Sequence, residues 1–259
     1  MKALLKKLFY WGLNSEDEFQ RNQEKIRNDE WNSIRPFIPE GCRFLDVGCG
    51  TGYSMYRAVH DCNCLSIGVD PHPLRAGVFH GQELLTNDNY KIRHGVAENL
   101  PVEDNSIDLV YSSHVLEHVQ DEEMALMEMA RVVKSNGVVI IGVPTATMSL
   151  IRLVSILIFE THRNLITILR WPFTASIRSE RRFVDLIIPR SHGQPHRTIF
   201  FDIFQYRAKI WRGKIEGHFD VVHQTYPSLY PFPEYLTLFR SRKLKSFGSS
   251  VFFVCKLSE

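Results

Sequence analysis

Residues Leu45-Asp46-Val47-Gly48-Cys49-Gly50-Thr51-Gly52-Tyr53 decide how this chain is read. Arg43 to Val47, with Phe44, Leu45 and Val47 as its apolar side chains, reads as a buried parallel strand. Three glycines follow at alternate positions, 48, 50 and 52, and Asp46 stands just ahead of them. Glycine admits backbone angles that a side chain forbids and lets a ligand lie against the main chain. Tyr53 to about Val59 reads as a helix whose positive end faces the turn. The pyrophosphate-binding version of this corner is spaced G-x-G-x-x-G. Here the spacing is G-x-G-x-G behind an acid, which would repel a pyrophosphate and suits an ammonium group.

The flanking sequence extends the pattern. Leu65-Ser66-Ile67-Gly68-Val69-Asp70 is a second short apolar run ending in an acid. Asp70 lies about twenty residues past the turn, where nucleoside-binding α/β folds place the carboxylate that holds ribose hydroxyls. Pro71 stops that strand. Gly95 to Pro101 reads as a turn, Ser106 to Tyr111 as a strand, and Ser112-Ser113-His114-Val115-Leu116-Glu117-His118 as the loop after it. A helix from about Asp121 to Lys134 and a strand Val138 to Val143 follow. Thr198 to Trp211 reads as a helix, and Phe219 to Val222 and Ser250 to Val254 as the last two strands.

The D-x-G-x-G-x-G turn with this succession resembles the class I S-adenosylmethionine (SAM) dependent methyltransferases, of the methyltransferase type 11 kind, over most of the chain. The resemblance implies an α/β fold: a Rossmann-like seven-stranded sheet with helices on both faces, a last strand running antiparallel, and a helical insertion after strand five. It implies S-adenosyl-L-methionine as cofactor, held by Asp46, Gly48, Cys49, Gly50 and Gly52, by Asp70 and Pro71, by Val96, Ala97 and Glu98 of an adenine-binding turn, and by Ser113. One position departs from the family pattern. Members often carry Asp where Val96 stands, to accept a hydrogen bond from the adenine amino group. Losing one such bond costs about 0.5–1.5 kcal/mol, and the backbone of Val96 and Ala97 still reaches the ring.

The expected organisation is an N-terminal helical extension over residues 1–40, the SAM-binding core over 41–146, an apolar and basic helical cap over 147–196, and the rest of the core sheet over 197–259. Ser15-x-x-Glu18 reads as a capping box opening a helix to about Trp31, which by resemblance covers the cofactor. Met1 to Trp11 places Leu4, Leu5, Leu8 and Trp11 on one helical face among lysines. It is too short and too interrupted for a signal peptide; it suits either an anionic membrane surface or its own domain. Met148 to Phe173 is apolar almost all round yet broken by Arg152, Glu160, His162 and Arg163. That excludes a clean transmembrane span and leaves a buried cap over the site or a surface dipping into a membrane.

Charge is uneven. Residues 1–146 hold 14 Lys+Arg against 21 Asp+Glu, and residues 147–259 hold 17 against 8, so −7 faces +9. The basic half suits an anionic partner, a membrane surface or a phosphorylated substrate, ahead of nucleic acid; a solvated surface is the plain alternative. Five cysteines without framework spacing argue against a disulfide scaffold. The expected location is the cytosol, with a peripheral association at the inner face of the membrane.

For the chemistry, an oxygen nucleophile needs its proton removed, most often by His or a carboxylate. His114 and His118 after strand four and His192 and His196 in the insertion are the candidates, with His114 and then His192 preferred by position. The segment around His192-Gly193 resembles one found in family members tied to glycan or cell-envelope chemistry. Strand four lacks the Asn-Pro-Pro-Tyr ending of amino-group methylases, no Pro-Cys dipeptide occurs, and no metal cluster stands out. The expected activity is methyl transfer to a small or lipid-linked acceptor, through oxygen of a glycan or envelope intermediate. Quinone or lipid methylation, and a non-catalytic SAM-binding partner subunit, are the alternatives.

Overall fold

The computed structural model describes residues 16–73, 83–155, 188–194, 196–230 and 247–258. Its centre is one seven-stranded sheet built from β1 (Arg43–Val47), β2 (Leu65–Asp70), β3 (Tyr90–His94), β4 (Ile107–Ser113), β5 (Val133–Pro144), β6 (Phe219–Thr225) and β7 (Ser250–Leu257). The order across the sheet is β3-β2-β1-β4-β5-β7-β6. The first five strands pair in parallel, and β7 runs antiparallel to both β5 and β6. The expected fold is thus the observed one, with the final strand inserted between β5 and β6. The order reverses between β1 and β4, and at such a switch point a crevice opens beyond the carboxyl ends of the strands.

Alternation along the strands divides the core into two layers. Leu45, Val47, Val110, Val139, Ile141 and Phe253 point to one face, against Ala125, Leu126 and Met129 of α4 (Glu122–Val132) and Trp211 and Ile215 of α7 (Ala208–Ile215). Phe44, Leu109, Tyr111, Ile140 and Phe252 point to the other. There they meet Trp31 and Ile34 of α1 (Glu16–Ile34) and Ala58 and Cys62 of α2 (Tyr53–Cys62). Asp121 caps α4 by accepting from Met124 N at 3.0 Å. The other described helices are α3 (Glu83–Thr86), α5 (Ala146–Ser155) and α6 (Ile199–Gln205).

Several elements depart from expectation, among them the helix expected over Thr198 to Trp211, which is two helices, Ile199–Gln205 and Ala208–Ile215. The edge strand β3 was not legible, because only Tyr90 and Ile92 interrupt its charged residues. Helix α4 ends at Val132 and β5 starts at once, several residues ahead of Val138. The polar start of β5 belongs to the sheet through Lys134, whose ammonium lies 2.6 Å from Asp108 Oδ1. Helix α5 opens the expected insertion; its continuation to Phe173, the arginine-rich stretch up to residue 187 and the Met1–Trp11 segment lie outside the described residues. Among the described residues no helix is long and apolar enough to cross a membrane. All five cysteines are buried free thiols.

Helix α1 is pinned by Trp31, which is 1% exposed and packs edge-on to Phe44 and Tyr111. Its indole N–H donates to Asp61 Oδ2 at 2.8 Å. Trp31→Ala is expected to cost about 3–5 kcal/mol, the usual toll for emptying a site of that size, measured by denaturant unfolding.

Candidate active site

The glycine turn sits at the switch point. Gly48, Gly50 and Gly52 all have positive φ, +77°, +49° and +81°. A Cβ on Gly48 would overlap the Val115 side chain, and one on Gly52 would overlap Leu84. Gly50 is different: a Cβ there would meet only Gly48 O at 4.0 Å, so this glycine borders open space. Gly48 N donates to Val69 O at 2.7 Å, which ties the turn to β2. Cys49 is turned inward; a Cβ on Gly68 would come within 2.8 Å of its sulfur. Its side chain is therefore packing, and the expectation that it contacts the cofactor reduces to its backbone.

Two carboxylates flank the opening. Asp70 Oδ2 accepts from Gly50 N at 3.1 Å and Oδ1 from His72 N at 2.7 Å. Asp70 thus shapes the turn from the end of β2, next to Pro71. Asp46 is 3% exposed. Burial pushes its carboxyl up, Arg27 pulls it down and Asp70 raises it again, leaving it at about 8. A buried acid held that high is poised to gain from a cation arriving beside it.

The turn expected to meet adenine closes through a bridge between Val96 and Asn99, with Asn99 N donating to Val96 O at 3.2 Å. Ala97 is buried and Val96 is 42% exposed, so the apolar side chain stands where Asp is usual. Glu98 Oε1 accepts from Gln120 N at 2.9 Å. Its carboxylate fastens this turn to the loop after β4. Open space beside Gly50, the Asp70 carboxylate and the buried Asp46 are groups that would take the ribose hydroxyls and the ammonium of S-adenosylmethionine, so the residues fit the cofactor.

Helix α1 brings two residues that the sequence reading missed. Glu30 is fully buried and accepts from Arg27 Nη1 at 2.9 Å and Ser250 Oγ at 2.7 Å. Arg27 also reaches Ser113 Oγ at the end of β4, at 3.5 Å. Burial would raise Glu30, but Arg27, His114 and Ser250 outweigh it and hold the carboxyl at about 2. A signal was present: Glu30 lies on the same helical face as Ile26 and Ile34, where a lone acid among apolar residues needs a partner.

The loop after β4 begins with a strained residue. His114 has φ +57°, and its N–H donates to Gly142 O at 2.8 Å. Its ring lies between two buried acids, with Nε2 3.4 Å from Glu30 Oε1 and Nδ1 3.3 Å from Glu117 Oε1. Burial opposes the charged ring, but Glu117 and Glu30 prevail and raise it to about 9. These contacts bear on its expected role as the base, since a ring held between two acids gives up a proton less readily. His192 is the neutral imidazole of the two, pushed down by burial to about 4. His118 and His192 stack edge to face at 5.2 Å, while His196 is exposed and outside the cluster.

The His-Gly turn reaches this loop because Gly193 has no side chain: a Cβ there would collide with Glu117 O. Gln194 Nε2 donates to the same carbonyl at 3.2 Å. Buried Asp202 of α6 holds the turn from behind, accepting from His192 N at 2.8 Å and from the Ser191 hydroxyl. Gly193→Ala is expected to lever the turn off the loop. Overpacking of this kind costs about 1–3 kcal/mol, read by denaturant unfolding, while SAM affinity stays unchanged because the glycine turn is untouched.

Comparison with known proteins agrees with this geometry. A family model described as "Methyltransferase domain" matches residues 45–141. The chain is 29% identical over 139 residues to a ubiquinone biosynthesis O-methyltransferase of Rhizobium etli, covering 54% of this chain and 52% of that one. It is 36% identical over 108 residues to a demethylmenaquinone methyltransferase of Staphylococcus aureus, covering 40% and 43%. An ajmaline N-methyltransferase of Rauvolfia serpentina is 35% identical over 101 residues, covering 38% and 34%. The chain thus spans about half or less of these relatives' lengths. Among solved structures, a SAM-dependent methyltransferase of Thermotoga maritima shares the fold with TM-score 0.54 at 19% identity, over 93% of this chain and 94% of that one. A Haloferax volcanii methyltransferase solved with its Trm112 activator does so with TM-score 0.59 at 14% identity, over 98% of each. With its glycine turn, its acid at the end of β2 and its reversed seventh strand, the chain carries a methyltransferase domain over residues 45–141 and shares the fold of SAM-dependent methyltransferases.

Proposed function

We propose that the protein transfers a methyl group from S-adenosylmethionine to an oxygen of a small or lipid-linked acceptor. The observation that carries this reading is the juxtaposition of the glycine turn with the His114–Glu117–His192 cluster. Val115, between His114 and Glu117, packs against Gly48. The cofactor supplies a methyl group on a sulfonium, already activated for in-line displacement, so alignment is the main task left to the protein. Asp70 and the turn hold the nucleoside end, and Asp46 faces the ammonium. The acceptor hydroxyl then lies against a wall of imidazoles and carboxylates, groups suited to removing its proton.

A glycan or cell-envelope intermediate is the acceptor class that the His-Gly turn favours. A quinone is the second reading, favoured by the names of the Rhizobium and Staphylococcus relatives. Attachment to an anionic membrane surface belongs to the same proposal and rests on the excess of basic residues after residue 146. Calorimetry of SAM and S-adenosylhomocysteine, with NADH as control, tests the first step. Both are expected to bind. Asp70→Ala is expected to weaken them about 10- to 100-fold, since it removes a charged hydrogen-bond partner worth about 1.5–3 kcal/mol. Failure of both to bind would overturn this reading and the SAM-binding subunit alternative with it. Transfer of labelled methyl to glycan-lipid and demethylated quinone panels then separates the acceptors.

The pH dependence has a defined sign. Asp46 is mostly protonated below pH 8 in the unliganded protein. The ammonium group favours its ionised form, so binding expels a proton, and affinity rises with pH until about 8 and then levels off. At pH 7 the release is expected to approach about one proton per site, measured by calorimetry in buffers of different ionisation enthalpy. Binding without proton release would remove Asp46 from the ammonium site.

A further inference from the structure

We propose that His114, Glu117 and His192 bind a divalent transition-metal ion of the zinc type beside the cofactor turn. The three side chains come from two segments, the loop after β4 and the His-Gly turn, and each offers a ligand atom within 4.8 Å of the others. Two imidazoles and one carboxylate form a donor set that suits zinc and its neighbours and leaves a coordination position open. Magnesium and calcium, which prefer oxygen ligands, suit it poorly.

Glu117 supplies the independent observation. Its side chain is wholly buried, and neither carboxylate oxygen accepts a hydrogen bond among the described residues. The nearest cationic atoms stand off, His114 Nδ1 at 3.3 Å and His118 Nε2 at 3.9 Å. A charge-assisted N–H···O bond closes to about 2.7–2.9 Å. Two ligands on tetrahedral zinc, each with a bond of about 2.0–2.1 Å, stand roughly 3.3–3.4 Å apart. The His114–Glu117 spacing fits the edge of a coordination polyhedron better than it fits a hydrogen bond.

The surroundings resemble those of a metal ligand. Metal-bound histidines usually donate their second N–H to a carboxylate that fixes the ring. His114 turns Nε2 toward Glu30 Oε1 at 3.4 Å, which leaves Nδ1 for the ion. Glu30 is in turn fixed by Arg27 and Ser250. Asp202 anchors the His192 backbone, and Gly193 lets that turn approach Glu117.

The consequence for catalysis rests on the methyltransferase reading. An acceptor hydroxyl at the open position would release its proton to solvent more readily. Its oxygen lone pair would form the new C–O bond as the methyl–sulfur bond breaks, its electron pair returning to sulfur. The ion would thus do the work of a protein base.

The test uses untagged, chelator-stripped full-length protein titrated with Zn(II) by calorimetry and with Co(II) by visible absorption. One ion per chain is expected, with a tetrahedral or five-coordinate cobalt spectrum. Glu117→Gln and His192→Ala should each weaken binding at least about tenfold. His192 lies near the surface, so His192→Ala carries the test if Glu117→Gln fails to fold. Absence of stoichiometric binding, or binding unchanged in His192→Ala, overturns the proposal. SAM binding measured on the same samples keeps the two readings apart: it should persist in the stripped protein and in both variants, and its loss from the unmodified protein would count against the methyltransferase reading alone.

Discussion

The site depends on one buried carboxylate. Glu30 is fully enclosed and receives Arg27 from its own helix, Ser250 from the start of β7 and the His114 ring from the loop after β4. An isolated charge in that position would be too costly to keep, so it persists only with its partners in place. Each partner comes from a different part of the chain. The contact therefore joins α1, the parallel half of the sheet and its reversed strand at the mouth of the cofactor crevice. Such a network adds little net stability, since desolvation opposes attraction. Its value is in fixing where α1 lies and which way His114 faces.

The strain at His114 belongs to the same arrangement. A non-glycine residue in the left-handed region costs free energy that the surroundings must supply. Here the Gly142 carbonyl holds the His114 N–H, while Glu30 and Glu117 hold the ring. The chain turns sharply at the end of β4 and carries Val115 back over Gly48. The glycine turn and the loop that carries His114 thus meet in one packing contact.

Sequence reading reached the fold because its evidence is local. The glycines at 48, 50 and 52, the acids at 46 and 70, and the short apolar strands each follow from spacing within a few residues. Strand β3 escaped because an edge strand does not need an apolar face on both sides. The site was legible only where it is local. Asp70 and the glycine turn follow from local spacing; Arg27 and Glu30 did not stand out, since the i, i+4 spacing of Ile26, Glu30 and Ile34 marks an inward acid without naming its partners. The surroundings of His114 were legible only in part. Its charge is set by Glu30 and Glu117, and only Glu117 is near it in sequence.

The Cys49 and His192 positions show the same division between position and role. Cys49 lies within the cofactor motif, yet its sulfur faces β2, because a turn that bends this tightly must send one side chain inward. His192 lies in a segment with no periodicity, yet Gly193 and Asp202 bring it to Glu117. Motif membership fixed where the backbone goes in the first case and said nothing of the side chain. Tertiary contact fixed the side chain in the second. The acceptor's chemistry is therefore written in the second kind of residue, where a fold shared with many methyltransferases leaves room for a donor set of this chain's own.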